Sequence, residues 1–291
     1  MKFWRKIEEI FSSKDNNFYE SSPIEVKMGL FSSFIRKKEP TYEPVNRFET
    51  LLKEAAQEPS RRPEFYRTLF HFDLVCLGRA KTNLDGSKTA EFQVGNYEGA
   101  QVIFAFTSEA ALSWYLAKQK LPPTKYIGMK TDVLFGMIQG RMGVILNSGH
   151  DFVKYFTPSE VQELLKDQNL ESHQVTVPAA QQYRIGQPAN LPEVLLSGLA
   201  GYSKRSSKVK DIYFGLLGTQ EGVLEYIGLV DFTQEASQSD EDSVLKDLIV
   251  VSKETLEQGK VMNFCKMRES GFADAIDSGE LISISKYGKV L

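Results

Sequence analysis

Apolar and polar positions alternate in three different ways along the chain. In the first 45 residues Phe3, Ile7, Ile10 and Phe11 share one helical face, with Trp4 beside them and Lys2, Arg5, Lys6, Glu8 and Glu9 elsewhere. A second patch, Leu30-Phe31-Ser32-Ser33 followed by Phe34-Ile35-Arg36-Lys37-Lys38, echoes Ile10-Phe11-Ser12-Ser13-Lys14 across the polar run Lys14 to Ser22. Two short amphipathic segments on polar spacers predict an arm over residues 1–45. Such an arm frays against its own domain, or it touches a membrane surface or a partner groove.

From Asn46 the pattern becomes that of a folded domain. Asn46 with Glu49 three residues on predicts a helix start, and Phe48, Leu51, Leu52 and Ala55 follow at helical spacing. Pro63 suits the first turn of a second helix bearing Phe65, Tyr66, Leu69 and Phe70. Strands are predicted at Leu74–Leu77, near Glu91–Val94, at Val102–Phe106, at Tyr126–Met129 and at Gly143–Leu146. Asn83-Leu84-Asp85-Gly86 reads as a turn, and Ser108 caps a helix carrying Ala111, Leu112, Tyr115 and Leu116 that Leu121-Pro122-Pro123 stops. Val133–Ile138 reads as a short helix. Thr157-Pro158-Ser159-Glu160 combines a cap, a proline at the first helical position and a glutamate at the third, with Val161, Leu164 and Leu165 inward.

Periodicity vanishes over residues 167–180, which places a boundary there. A second domain opens at Tyr183-Arg184-Ile185-Gly186, and the helix after Pro192 carries Val194, Leu195 and Leu199. Ile212–Leu217 and Leu224–Val230 read as a hairpin through Gly218–Gly222. Ser239-Asp240-Glu241-Asp242 suits a helix N-terminus, where carboxylates meet the positive end of the macrodipole, and Val244, Leu245, Leu248 and Val251 continue it. Strands at Lys260–Met267 and Leu281–Ile284 flank a short helix around Ala273–Ile276. Strands and helices mix without a regular βαβ rhythm. The predicted class is α+β: two mixed α+β domains in tandem, 46–168 and 181–291, behind a short N-terminal amphipathic arm.

Composition narrows the function classes. The chain has 291 residues and a formal net charge of -3, without the concentrated basic surface that phosphate neutralisation demands, so no nucleic-acid partner is expected. Cys76 and Cys265 lie far apart in apolar runs and read as unpaired buried thiols of a reducing compartment. Met1–Glu9 interrupts its apolar residues with charge and does not read as a secretory signal; no run approaches the ~20 apolar residues of a spanning helix. A cytoplasmic location is the expectation.

Chemistry is sparse. His71, between Phe70 and Phe72, reads as a structural histidine, and His173 as a solvated linker residue. Asn147-Ser148-Gly149-His150-Asp151 places a hydroxyl, an imidazole and a carboxylate at the end of a buried strand. Adjacent residues diverge, however, and triads are assembled from separated segments; Asn-Ser-Gly is also ordinary turn chemistry. No cysteine or histidine spacing suits zinc and no acidic loop suits calcium, so no metal and no cofactor are expected. Gly136-Met137-Ile138-Gln139-Gly140 lacks the ending of a phosphate loop. The basic run Lys204–Lys210 reads as a solvated helix C-terminus.

Particular stretches carry a family resemblance. They are Asn46-Arg47-Phe48-Glu49 with Leu51-Leu52; Arg62-Pro63-Glu64-Phe65-Tyr66; Val102–Ser108; and Gly143-Val144-Ile145-Leu146-Asn147 before the Thr157–Leu165 helix. Together these resemble the N-terminal domain of the bacterial SseB (enhanced serine sensitivity) family. From about Tyr183, Gly186-Gln187-Pro188, a helix, a long strand pair and a helix–strand–helix–strand order are similar to its C-terminal domain. The family usually follows the asparagine of the Ile-Leu-Asn turn with proline; Ser148 stands there, which puts the rigidity of this turn in question. The resemblance implies an architecture and no reaction, since the family name records a growth phenotype.

The expected function is that of a non-catalytic cytoplasmic protein that binds or regulates another protein. Loops after buried strands collect sites, so Phe106, Thr107, Ser108, Asn147 and His150 are the expected binding residues. Two alternatives stand beside it. One is a hydrolase with a site near Ser148 and His150; the other is an adaptor docked on membrane through residues 1–45.

Overall fold

The computed structural model describes residues 41–82, 88–167, 184–218, 224–253, 255–256 and 260–287. The expected arm up to residue 40, the turn at Asn83–Gly86, the stretch 168–180 with His173, and residues 219–222 of the second-domain hairpin lie outside the described residues. Contacts group the chain into two compact units: residues up to Val45 with Asp73–Met129 and Ile138–Val161, and Asn46–Phe72 with Lys130–Met137 and Gln162–Leu291.

The first unit is built on a seven-stranded sheet of β1 (Asp73–Thr82), β2 (Lys88–Phe92), β3 (Val94–Tyr97), β4 (Ala100–Phe106), β5 (Tyr126–Lys130), β6 (Gly143–Leu146) and β7 (Lys154–Phe156). Its order is β2-β1-β4-β6-β7, with β3 also on β4 and β5 on β1. The apolar run in β4 is explained by its place between neighbours: Val102, Ile103, Ala105 and Phe106 are fully buried. β4 and β6 run parallel in the register Val102↔Gly143 to Ala105↔Leu146, so their C-terminal ends emerge side by side. The helix Glu109–Lys118 leaves the end of β4 with Ser108 as its cap, the hydroxyl accepting from the Ala111 N–H at 3.0 Å. One face of the sheet buries Tyr97, Val102, Ile145, Val153 and Tyr155 together. β7 carries no alternation that would predict a strand, since all three of its side chains are buried. Its Lys154 is buried and ion-paired to Glu160 at 2.9 Å.

The second unit opens with the helix Arg47–Gln57, which begins as expected: Asn46 Oδ1 accepts from the Glu49 N–H at 2.8 Å. Asn46→Ala is expected to cost about 1 kcal/mol, read as a small fall in the thermal midpoint by circular dichroism. Phe48 stacks on Phe65 of the next helix, Arg62–Leu69, and on Phe72, at centroid separations of 5.4 and 4.0 Å. His71, expected to be structural, is exposed instead: it follows the end of that helix, and the flanking phenyl rings turn inward without it. A five-stranded sheet of β8 (Arg184–Gly186), β9 (Val209–Gly218), β10 (Leu224–Phe232), β11 (Met262–Lys266) and β12 (Ile282–Ser283) has the order β11-β10-β9-β12, with β8 also on β9. β9 and β10 form the expected antiparallel pair, and β11 runs parallel to β10.

The helices Glu193–Arg205 and Gln238–Lys253 cover one face of this sheet through Leu195, Leu196, Leu199, Val244, Leu248 and Val251. Of the apolar residues in the first of these helices, Val194 is exposed, while Leu195, Leu196 and Leu199 are buried in the core. The predicted last strand shortens to Ile282–Ser283, because Asp211 holds the following turn: its carboxylate accepts from the hydroxyls of Ser283 and Ser285 at 2.6 and 2.9 Å and from the Ser285 N–H at 3.0 Å. A second buried carboxylate, Asp247, accepts from the Tyr202 hydroxyl at 2.7 Å and from the Arg67 guanidinium. Burial, then the Asp247 carboxylate, raises the Tyr202 phenol far above the ordinary tyrosine range, so it stays a donor. The two folded units thus confirm the predicted α+β class. Among the described residues no helix is long and apolar enough to cross a membrane.

Candidate functional site

Parallel pairing of β4 and β6 brings the five expected binding residues to one end of the first unit. Phe106 ends β4 and is fully buried; Thr107 and Ser108 carry the chain into the helix Glu109–Lys118. Asn147 follows β6 and accepts a backbone constraint, with its N–H donating to the Ala105 carbonyl at 2.9 Å and a φ of 57°. Asparagine tolerates this left-handed conformation better than most residues. Gly149 has a φ of 76°, and a Cβ there would lie 3.2 Å from the Tyr115 ring, so both its conformation and its packing call for glycine. The turn closes where the His150 N–H donates to the Asn147 carbonyl at 3.2 Å.

A side-chain brace joins the two strand ends. Asn147 Oδ1 accepts from the Thr107 N–H at 3.0 Å and from its hydroxyl at 3.1 Å, while Asn147 Nδ2 donates back to Thr107 Oγ1 at 3.0 Å. All of these groups are buried, where hydrogen bonds between fixed partners gain most from low dielectric. The brace ties Asn147, and with it the turn that carries Ser148, to the neighbouring strand end.

His150 lies beneath this turn, only 5% exposed, with Nε2 3.0 Å from the Ala111 carbonyl. A carbonyl accepts, so that nitrogen carries the proton and donates. The imidazole is surrounded by rings: Tyr42 at 4.6 Å and perpendicular, Trp114 at 4.5 Å, Phe152 at 5.7 Å and Phe106 at 6.4 Å. Ser148 is fully buried beside Tyr115, whose phenol burial raises above its ordinary range, the Ser148 hydroxyl acting in the opposite sense. In this arrangement Nε2 lies against a carbonyl and the Ser148 side chain is buried. Lys118 closes the outer side, donating to the Gly149 carbonyl at 2.9 Å and lying 4.6 Å over the Trp114 ring.

Sequence reasoning missed Tyr42. The reading of residues 1–45 as an arm includes it, yet it is buried at 8% exposure against His150, Trp114 and Phe152, with its hydroxyl 3.3 Å from Ser108 Oγ. Nothing in the spacing around Thr41-Tyr42-Glu43-Pro44 signals this, since a single aromatic residue in an extended segment has no period. Elsewhere, Arg79, Ala80 and Pro123–Tyr126 line a shallow depression of about 530 Å³. No cluster of three or more histidine, cysteine, aspartate or glutamate side chains suited to a metal occurs among the described residues. Both cysteines are free; burial pushes the Cys76 thiol up to about 12 and that of Cys265 to about 11, so neither is a thiolate near neutral pH.

This geometry defines a protein of two tandem α+β domains whose N-terminal sheet presents braced strand ends. The model of the SseB protein N-terminal domain matches residues 48–163, and that of the SseB protein C-terminal domain matches residues 177–277. The chain belongs to the SseB family. It is similar to Protein SseB of Escherichia coli (strain K12), 27% identical over 172 residues that cover 58% of this chain and 65% of the relative. The match to Protein SseB of Shigella flexneri has the same identity and extent. The chain thus spans slightly less than two thirds of the length of these curated relatives. No solved structure shows a significant match to it.

Proposed function

We propose that this is a non-catalytic binding or regulatory protein of the cytoplasm, and that it meets a protein partner at the strand ends of its first unit. One observation carries the reading: a segment of the same chain without regular secondary structure, residues 41–45, already lies at this end, with Tyr42 buried against His150 and Trp114. Phe106, Thr107, Asn147 and His150 are the buried framework of that surface, and Ser108 contributes a hydroxyl to it. The rim consists of exposed or half-buried groups, Ser113, Trp114, Lys118 and Asp151. A framework tied by buried hydrogen bonds loses little freedom when a partner docks, which favours binding.

Affinity capture with the full chain as bait tests this. A partner recovered by the wild type is expected to be lost with Asp151→Arg/Ser113→Glu, at an unchanged melting temperature. Equal recovery by both baits would remove this surface from the reading. A broad hydrolytic substrate screen is the counter-test: turnover abolished by both Ser148→Ala and His150→Ala would put the enzyme reading first.

A further inference from the structure

We propose that the shallow depression beside β1 docks an extended acidic segment of a partner protein, which lies along β1 as a short added strand. The site is separate from the strand-end surface above, and it lies wholly in the first unit. Its backbone comes first. Along a strand the peptide groups of successive residues point to alternate edges. The Leu77 carbonyl accepts from the Gln93 N–H on the β2 side, and the Gly78 N–H donates to the Lys125 carbonyl at 3.1 Å on the other. Ala80 therefore turns its N–H and carbonyl toward the side of Lys125, where the depression lies. Pro123, which also lines it, has no N–H to return to Ala80. β1 runs on to Thr82 while β5 begins only at Tyr126, so a pairing edge of β1 faces a space of about 530 Å³.

Charge decides which strand fits. Arg79 and Lys125 both line the depression and are exposed. Arg79 Nε donates to Glu91 Oε2 at 2.6 Å, which holds the guanidinium in place while its terminal nitrogens can take a second carboxylate. Lys81 stands 3.7 Å from the same Glu91, and the Glu109 carboxylate accepts from the Tyr126 hydroxyl. Cations thus outnumber carboxylates at this edge, with Arg79, Lys81 and Lys125 against Glu91 and Glu109. A lysine at a strand edge deters neutral and basic chains from pairing there, whereas a chain carrying glutamates or aspartates is attracted. Tyr126, 43% exposed, adds a ring wall for an apolar residue of such a segment. Main-chain bonds to Ala80 supply affinity and the cations supply specificity, the division of labour of strand addition.

A labelled hexapeptide of alternating glutamate and valine is the probe, titrated against the full chain by fluorescence anisotropy. Lys125→Glu is expected to weaken its binding at least about tenfold at an unchanged melting temperature, and Arg79→Gln to weaken it in the same direction. Binding should fall as salt is raised, and a lysine–valine hexapeptide should not bind. A copy of the probe methylated on its backbone nitrogens, which cannot donate to a strand, should lose binding as well. No binding to the wild type, equal affinity for the wild type and Lys125→Glu, or undiminished binding of the methylated copy overturns the inference. So does tighter binding of a single-stranded oligonucleotide of the same charge, since the depression would then read phosphate rather than a peptide strand. Asp151→Arg/Ser113→Glu, at the strand ends, is expected to bind the probe like the wild type; loss of binding there would move the probe to that surface and overturn this site.

Discussion

Asn147→Ala is expected to lower stability by about 3 kcal/mol, with a fall in melting temperature of roughly 6–10 °C. The substitution strips two buried Thr107 groups, the N–H and the hydroxyl, of the acceptor they share, and removes the amide that donates back. An orphaned buried donor costs about 1–3 kcal/mol, more than the net worth of an ordinary hydrogen bond. Alanine must also hold a φ of 57°, which costs roughly 1 kcal/mol more. Asn147→Gly separates the two contributions: glycine accepts the backbone angle and lacks the brace, so it should recover only the conformational part. Chemical denaturation of the three proteins measures this. If alanine and glycine both stay within about 0.5 kcal/mol of the wild type, the brace is not holding the strand ends.

The second large effect is expected in the other unit. Lys266 is buried, with its ammonium 3.0 Å from Glu241, itself 1% exposed; Asp242 and Glu269 stand farther off at 3.5 and 3.8 Å. Glu241→Ala should cost about 3–5 kcal/mol, because it leaves a buried ammonium without its near partner. Glu241→Leu/Lys266→Met, which removes both charges and keeps the volume, should restore most of that loss. A double variant as unstable as the single one would show that the pair does more than neutralise itself. The same pair sets a pH dependence. Burial opposes the charged form of Lys266, but the hydrogen bond and charge of Glu241, with Glu269 and Asp242, outweigh it and raise the pKa. A raised lysine contributes stability fully below its unfolded value near 10.4 and loses it as pH climbs through the folded value. Wild type should therefore lose stability faster than Lys266→Met above about pH 10.4, and the two should run parallel at lower pH.

These two sites were unequally legible. The turn at Asn147 announced itself, since Asn-Ser-Gly after an apolar strand is turn chemistry whatever the fold. That its side chain would reach Thr107, 40 positions away, depends on β4 and β6 being parallel neighbours, which no local pattern encodes. Glu241 read as part of an acidic helix start, a correct local statement. Its burial follows from where the helix Gln238–Lys253 lands on β11, and only then does Lys266 become its partner. Lys154 and β7 were hidden for a related reason: a lysine between buried aromatic residues looks like surface until Glu160 is placed beside it.

What the sequence determined by itself was local: the caps at Asn46, Ser108 and Thr157, the buried strands Val102–Phe106 and Gly143–Leu146, the β9–β10 pair and the family. Caps and periodicity act within a few residues, through bonds and faces that any fold must satisfy. Tertiary structure decided which segments share a core. It groups Asn46–Phe72 by contact with residues far along the chain, turns His71 outward, and seats Tyr42 over His150. Those outcomes depend on which apolar faces meet when the chain closes, and a side chain such as Tyr42 or His150 acquires its role only from the neighbours that closure provides.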